Sequence, residues 1–162
     1  MSNIRVGHGF DVHKFSENRA LIIGGVTIAH DFGLEGHSDA DVLTHAIMDA
    51  LLGAAGLSDI GTYFPPSNDM YKDANSLILL KEVQRILQEN HFSKILNIDA
   101  VIMAEAPKML KHIPEMKKLL AHILSIDVSQ IGIKATTTEK LGFVGRKQGI
   151  AASAVCLIES DV

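Results

Sequence analysis

"VGHGFDVHKF", residues 6–15, decides the fold class, because its side chains sort into two sets with a period of two, the signature of a β-strand. Alternate side chains of a strand share a face, so Asp11 and His13 point the same way. At a rise of about 3.3 Å per residue their Cα atoms stand roughly 6.5–7 Å apart, close enough for a carboxylate and an imidazole to converge on one ion. Gly7 and Gly9 fall on that face and leave it bare for an approaching ligand, whereas His8 points the other way and reads as structural. The Asp-x-His pair fits either a satisfied polar strand edge or half of a metal site that lacks a third ligand.

The 162 residues suit one domain, 1–162, able to bury about 70% of its unfolded surface. Apolar residues make up 47% and charged residues 21%, the balance of a globular chain. With no Trp and few aromatics, the core must be built from Val, Ile, Leu, Ala and Met. A net charge of −4 and scattered Lys and Arg give no footprint for nucleic acid. Cys156 stands alone, so no disulfide framework exists, which suits a reducing cytoplasm. Neither a signal peptide nor a membrane span is expected. Eight histidines are many for this length, and His is the commonest metal ligand.

Strands are expected over 3–15 and 20–29, then a helix over 42–56 with Ser38 as N-cap and Asp41 at N3. Residues 57–75 read as loop, with Asn75 or Ser76 capping a second helix. A strand over 94–106 ends at Pro107, which opens a short helical piece, and Pro114 starts a further helix. Strands over 130–138 and 150–160 flank a glycine-rich loop. The order β-β-α-α-β-α-β-β, with hairpin-like strand pairs at both ends, predicts an α+β fold: a mixed sheet with helices on one face. Strand 150–158 is apolar on both faces, so sheets of neighbouring subunits are expected to cover what the helices do not.

His45 is the candidate third ligand, or else a histidine at the border of the helix's apolar stripe, satisfied by Asp41 or Asp49. It lies one helical turn from both Asp41 and Asp49, either of which could accept its second ring N–H. An Asp/His/His set leaves tetrahedral zinc an open fourth position, the pattern of a catalytic rather than a structural site. Open zinc polarises a phosphoryl oxygen or activates a water. For phosphate, "GHGFDV" lacks the third glycine of a dinucleotide loop, but "KATTTEKLGFVGR", residues 134–146, offers hydroxyls, cations and Glu139 as a ligand for Mg²⁺. A strand end rich in Thr explains that run equally well.

"RVGHGFDVHKF", "HSDADVLTHAIMDALLGAAGLSDIGTYFP", "AEAPKMLKHIPEM" and "IGIKATTTEKLGFVGRKQGIA" together resemble the 2-C-methyl-D-erythritol 2,4-cyclodiphosphate synthase family, over nearly the whole chain. The resemblance implies conversion of 4-diphosphocytidyl-2-C-methyl-D-erythritol 2-phosphate to the cyclic diphosphate and CMP, by attack of the 2-phosphate on a zinc-polarised β-phosphate. It implies Asp11, His13 and His45 as zinc ligands and Glu139 as ligand of a second ion, Mg²⁺ or Mn²⁺. His37 and Thr137 would stabilise the transition state, with Ser38 as a substrate-binding neighbour. Asp59, Ile60 and Gly61 would hold the methylerythritol hydroxyls, bordered by the loop from Phe64 to Asn68. Ala104, Ala106, Pro107, Lys108, Met109 and Leu110 would cradle the cytidine, with Thr136, Thr138 and Lys108 beside its phosphates. The family is a homotrimer with sites between subunits, and Phe143 and Arg146 would line a central cavity that takes an isoprenoid diphosphate. Pro66, Asn68 and Asn75 depart from the acidic residues frequent in the family's substrate loop. Two other readings remain: a zinc hydrolase using Asp49 or Asp59 as base, and a non-catalytic trimer that binds isoprenoid diphosphates through Arg146.

Overall fold

The computed structural model describes residues 3–161; residues 1, 2 and 162, the ends of the expected domain, lie outside the described residues. Strands β1 (Ile4–Ser16), β4 (Gly33–Leu34), β5 (Lys94–Met103), β6 (Ile131–Thr136) and β7 (Gly149–Glu159) form one sheet in the order β4-β1-β7-β5-β6. β7 runs antiparallel to β1, from Ile4 opposite Glu159 to Lys14 opposite Gly149, and antiparallel to β5 on its other side. β5 and β6 are parallel, so the sheet is mixed. The expected pairing of the last two strands fails: α4 (Ile113–Leu124) carries the chain from β5 over to a parallel β6, and β7 then inserts between β1 and β5.

Residues 20–29 are not one strand. β2 (Leu21–Ile23) and β3 (Val26–Ile28) form a separate ribbon turning at Gly24 and Gly25, whose φ values of +58° and +76° are costly for any residue with a side chain. Both glycine N–H groups donate to Asp41, at 2.8 Å to Oδ1 and 2.7 Å to Oδ2. The same carboxylate accepts Thr44 N–H at 3.0 Å and caps α1 (Val42–Ala54), so the cap is Asp41 and not Ser38. Burial raises the Asp41 carboxyl above its usual range, against the pull of these N–H donors.

Nearly every side chain of α1 is buried, because the helix lies between the sheet and α3 (Ser76–Glu89). Its approach to β1 is what Gly7 and Gly9 permit: a Cβ at Gly7 would sit 1.9 Å from Ala50 O, and one at Gly9 2.0 Å from Ala46 O. The bare face admits a helix rather than a ligand. α4 packs beside α3 and β6, with Pro114 in its first turn as expected. α1 ends at Ala54, two residues short of the expected 56; Gly53 lies inside it, and Gly56, at φ +74°, follows the end. Residues 57–75, expected as loop, contain a short helix α2 (Ile60–Tyr63) and a 3₁₀ turn at Asp69–Tyr71. Residues 107–112 form turns rather than a helical piece, after a cis Ala106–Pro107 bond. The glycine-rich loop holds one helical turn, α5 (Gly142–Gly145).

Among the described residues no helix covers the opposite face of the sheet. Ile4, Val6, Phe10, Val12 and Val155 point out from it, and Val6 is 66% exposed.

Candidate metal centre

The close seating of α1 on β1 brings His45 against the Asp11–His13 pair. Asp11 Oδ2 lies 2.9 Å from His13 Nε2 and 3.0 Å from His45 Nδ1, and the two ring nitrogens are 3.2 Å apart. Among the described residues this is the one group of three or more His, Cys, Asp or Glu side chains whose donor atoms converge, all within 4.8 Å. His13 Nδ1 donates to the Glu35 carbonyl at 2.7 Å, which leaves the Nε2 lone pair facing the triad. Partial burial opposes charge on Asp11, but hydrogen bonds and charge from His13 and His45 outweigh it and hold the carboxyl well below its usual range. Burial likewise opposes charge on His13, and Asp11 beside it overrides this and raises the imidazole above its usual value. Two imidazole nitrogens and a carboxylate oxygen aimed at one point are a donor set suited to zinc, with room for a further ligand on the open side.

The expected partners of His45 are occupied elsewhere. Asp41 binds the β2–β3 turn, and Asp49 accepts Ile60 N–H at 2.9 Å. Burial raises the Asp49 carboxyl, and the charges of Asp59 and Asp11 add to the rise. His45 Nε2 faces the hydroxyls of Ser38 and Ser76 instead, at 3.1 and 3.0 Å. Ser76 was expected only as a helix cap, and no spacing in the sequence links it to His45.

A cavity of about 250 Å³ opens beside the triad, lined also by His37, Ser38, Ile60, Gly61, Phe64 and Pro66. Met48, Tyr71 and Leu79 complete its wall; Met48 sits among the buried core, and nothing in the sequence marked any of the three. Asn68 stays outside the wall, with its carbonyl 3.3 Å from His37 Nε2. Asp59 caps α2 through Thr62 N–H at 2.9 Å and lines a different cavity, of about 230 Å³, with Asp49, His8 and Phe10.

A third cavity, about 260 Å³, is lined by Ala104, Glu105, Pro107, Lys108, Met109, Leu110, Ala135, Thr136 and Thr137. Ala106 is not in its wall, although its peptide to Pro107 forms the bend. Glu105, to whose side chain the sequence assigned no role, accepts Thr138 N–H at 3.1 Å and Lys140 N–H at 3.2 Å and so shapes the threonine loop. Thr137 Oγ1 donates to Glu139 Oε1 at 3.0 Å. Glu139 is not among the converging donors of the triad. Asp11 pairs with Ala152, Ala152 with Ile102, and Ile102 with Ala135, so the triad and the threonine loop occupy one end of the sheet. Three strand spacings separate these rows, about 14 Å. Phe143 is 39% exposed, and Arg146 donates to Gln148 Oε1 at 3.2 Å. Another cavity, about 830 Å³, runs along α3 past Arg85, which is held by Glu82 and Glu89, and is not lined by the converging donors of the triad.

Comparison with known proteins adds an independent line. A curated relative from Syntrophomonas wolfei subsp. wolfei, 2-C-methyl-D-erythritol 2,4-cyclodiphosphate synthase, is 56% identical over 156 residues, covering 96% of this chain and 99% of the relative. The solved bifunctional IspDF from Campylobacter jejuni matches with a TM-score of 0.94 at 46% identity, over 99% of this chain and 43% of that longer one. The Plasmodium falciparum IspF CDP complex matches with a TM-score of 0.85 at 36% identity, over 99% of this chain and 98% of that one. The model of the YgbB family matches residues 4–159, and the chain belongs to that family.

Proposed function

We infer that this chain converts 4-diphosphocytidyl-2-C-methyl-D-erythritol 2-phosphate to 2-C-methyl-D-erythritol 2,4-cyclodiphosphate and CMP, in the non-mevalonate route to isoprenoids. The observation that carries this is the Asp11–His13–His45 triad opening on a cavity at the same sheet end as the threonine loop, in a chain 56% identical to a synthase of that name. An oxygen of the 2-phosphate forms a bond to the β-phosphorus, the bond from that phosphorus to the α-phosphate oxygen breaks, and CMP leaves. No covalent bond to protein is needed; the protein positions phosphates and neutralises charge.

Zinc held by Asp11, His13 and His45 would act as a Lewis acid on the β-phosphate. His37 and Ser38, in the wall beside the triad, orient the phosphate end of the substrate. Ile60, Gly61 and Phe64 enclose the methylerythritol, with the carbonyl of Asn68 at the rim; Asp59, bonded to Thr62 in the neighbouring cavity, would meet the hydroxyls only by turning from that bond. The cavity under Ala104–Leu110 takes the cytosine, and Thr136, Thr137, Thr138 and Lys108 meet the phosphates. Glu139, oriented by Thr137, would hold a second divalent ion, Mg²⁺ or Mn²⁺, of the kind that binds substrate phosphates.

Two observations support a homotrimer with sites between subunits: the triad and Thr137, the hydrogen-bond partner of Glu139, line different cavities of one chain, and the apolar outer sheet face is uncovered. Phe143 and Arg146 then face a central cavity suited to an isoprenoid diphosphate. Among the described residues no helix is long and apolar enough to cross a membrane, and a single buried thiol, raised by burial to about 12, fits the cytoplasm.

Phosphorus NMR of the substrate with purified protein tests the reaction. Cyclic diphosphate with CMP is the expected outcome, and an open-chain diphosphate with CMP would make the protein a hydrolase. In the same assay Glu139→Gln lowers turnover about tenfold or more while zinc content stays at the wild-type level; equal loss of zinc would place Glu139 in the first metal site. Val6→Asp puts a charge on the outer face and turns the trimer into monomers in sedimentation velocity, with turnover lost and zinc retained. A fully active Val6→Asp monomer would refute the shared site.

A further inference from the structure

His45 turns its second ring nitrogen away from Asp11 and His13 and into the protein, where Ser38 Oγ lies at 3.1 Å and Ser76 Oγ at 3.0 Å. The Ser76 hydroxyl is hydrogen-bonded to Asp39 Oδ1, and Asp39 Oδ2 accepts the Ser76 backbone N–H at 2.9 Å. Asp39 Oδ1 also accepts Asp41 N–H at 3.2 Å, so both carboxylate oxygens act as acceptors. A hydroxyl has one proton to give. Ser76 gives it to Asp39 and therefore meets His45 only as an acceptor. A lone pair on Nε2 would oppose the Ser76 oxygen at 3.0 Å, so the hydrogen of the neutral imidazole sits on Nε2, Ser38 Oγ turns its own hydrogen away as a second acceptor, and the lone pair sits on Nδ1, the atom that faces the triad.

We propose that Ser76 and Asp39 are positioning residues that hold His45 in the tautomer able to ligate a metal through Nδ1. Asp11 exerts the opposite pull: its Oδ2, 3.0 Å from Nδ1, attracts a hydrogen onto the ligating nitrogen. The Ser76–Asp39 pair counters that pull from the far side of the ring. Ser76 is fully buried, so no bulk water can take over its role. It is also the first residue of α3, and the Asp39 N–H donates to Ala74 O at 3.1 Å. The relay thus ties the metal ligand to the point where the segment bearing Phe64, Pro66 and Tyr71, three residues of the cavity wall, rejoins the fold. Partners of this kind typically account for a 10–100-fold share of metal affinity.

The inference rests on the triad being a metal site, and the experiment separates the two claims. Zinc affinity is measured on the full-length protein by competition with a chromophoric chelator. Ser76→Ala and Asp39→Asn are each expected to weaken binding roughly 10–100-fold. In proton NMR of the zinc-loaded wild-type protein, the His45 Nε2–H signal is expected to be protected from solvent exchange, and the variants lose that protection. Variants that bind within twofold of wild type would overturn the relay and leave the metal site standing. Wild-type protein with no zinc affinity would sink the metal reading itself. If neither variant folds, the wild-type spectrum decides alone, since a rapidly exchanging Nε2–H is incompatible with the relay.

Discussion

His45→Ala is expected to yield a folded protein, unchanged in oligomeric state, that purifies without zinc and turns over about a thousandfold more slowly than wild type, or worse. His45 is one of only three donors, so its loss leaves Asp11 and His13, too few for a site that must compete with water and buffer. Lewis-acid stabilisation of a phosphoryl transition state is worth several kcal/mol. At about 1.4 kcal/mol per factor of ten, roughly 4 kcal/mol corresponds to the thousandfold loss. The fold should survive, because Ala is the best helix former and the apolar contacts of α1 with the sheet come from its other residues. Asp11→Ala should behave alike, since its Oδ2 is the atom both imidazoles face. Metal analysis, the phosphorus NMR assay and sedimentation on one preparation make the check. A zinc-free His45→Ala protein with full activity would remove the metal from the mechanism.

The triad was legible because each half of it obeys a local period. Alternation in β1 places Asp11 and His13 on one face, and helical spacing sets His45 at the border of the apolar stripe of α1, one turn from Asp41 and Asp49. The same spacing misassigned the partners of His45. Asp41 and Asp49 stand one turn away, but Asp41 is drawn to two N–H groups at the Gly24–Gly25 turn and Asp49 to Ile60, both distant in sequence. Asp39 and Ser76, 37 residues apart, reach each other only once α3 docks on α1. Periodicity has no access to such a contact.

Strand pairing failed for a related reason. Two adjacent glycines between apolar runs are a hairpin signal, and Gly24–Gly25 divides the second apolar run accordingly. Neighbours in sequence were expected to pair at the C-terminal end as well. The α4 crossover instead makes β5 and β6 parallel, and β7 reaches the centre of the sheet. The apolar character of β7 on both faces was the visible sign of that central place, and Val155 at 41% exposure marks the face that no helix covers. The cavity under Ala104–Leu110 had no sign in local periodicity, because its walls come from a β5 end and a β6 end joined by register.

Gly9→Ala is expected to cost stability and metal together, which makes it the sharpest test of how β1 builds the site. The added methyl would lie 2.0 Å from Ala46 O and 2.7 Å from Ala50 N, and both are backbone atoms that no side-chain rotation can move. α1 must therefore shift outward as a body, opening the β1–α1 core over Ala46, Ala50 and their neighbours. Overpacking of this kind costs about 1–3 kcal/mol and occasionally more; backbone on both sides puts this position at about 3 kcal/mol or above. For a domain of this size that lowers the unfolding midpoint by roughly 6–12 °C. Ala46 is adjacent to His45, so the same displacement draws Nδ1 away from Asp11 and weakens zinc binding, although no ligand has been altered. Gly53→Ala is the internal control: its Cβ meets nothing nearer than His8 O at 4.0 Å, and its place inside α1 favours Ala over Gly. That variant should be neutral or more stable by about 0.4–1 kcal/mol. Thermal unfolding and zinc titration of both variants decide the matter. Gly9→Ala with wild-type stability and affinity would mean that α1 and β1 do not meet backbone to backbone at Gly9, and that their close seating is not what brings His45 to its partners.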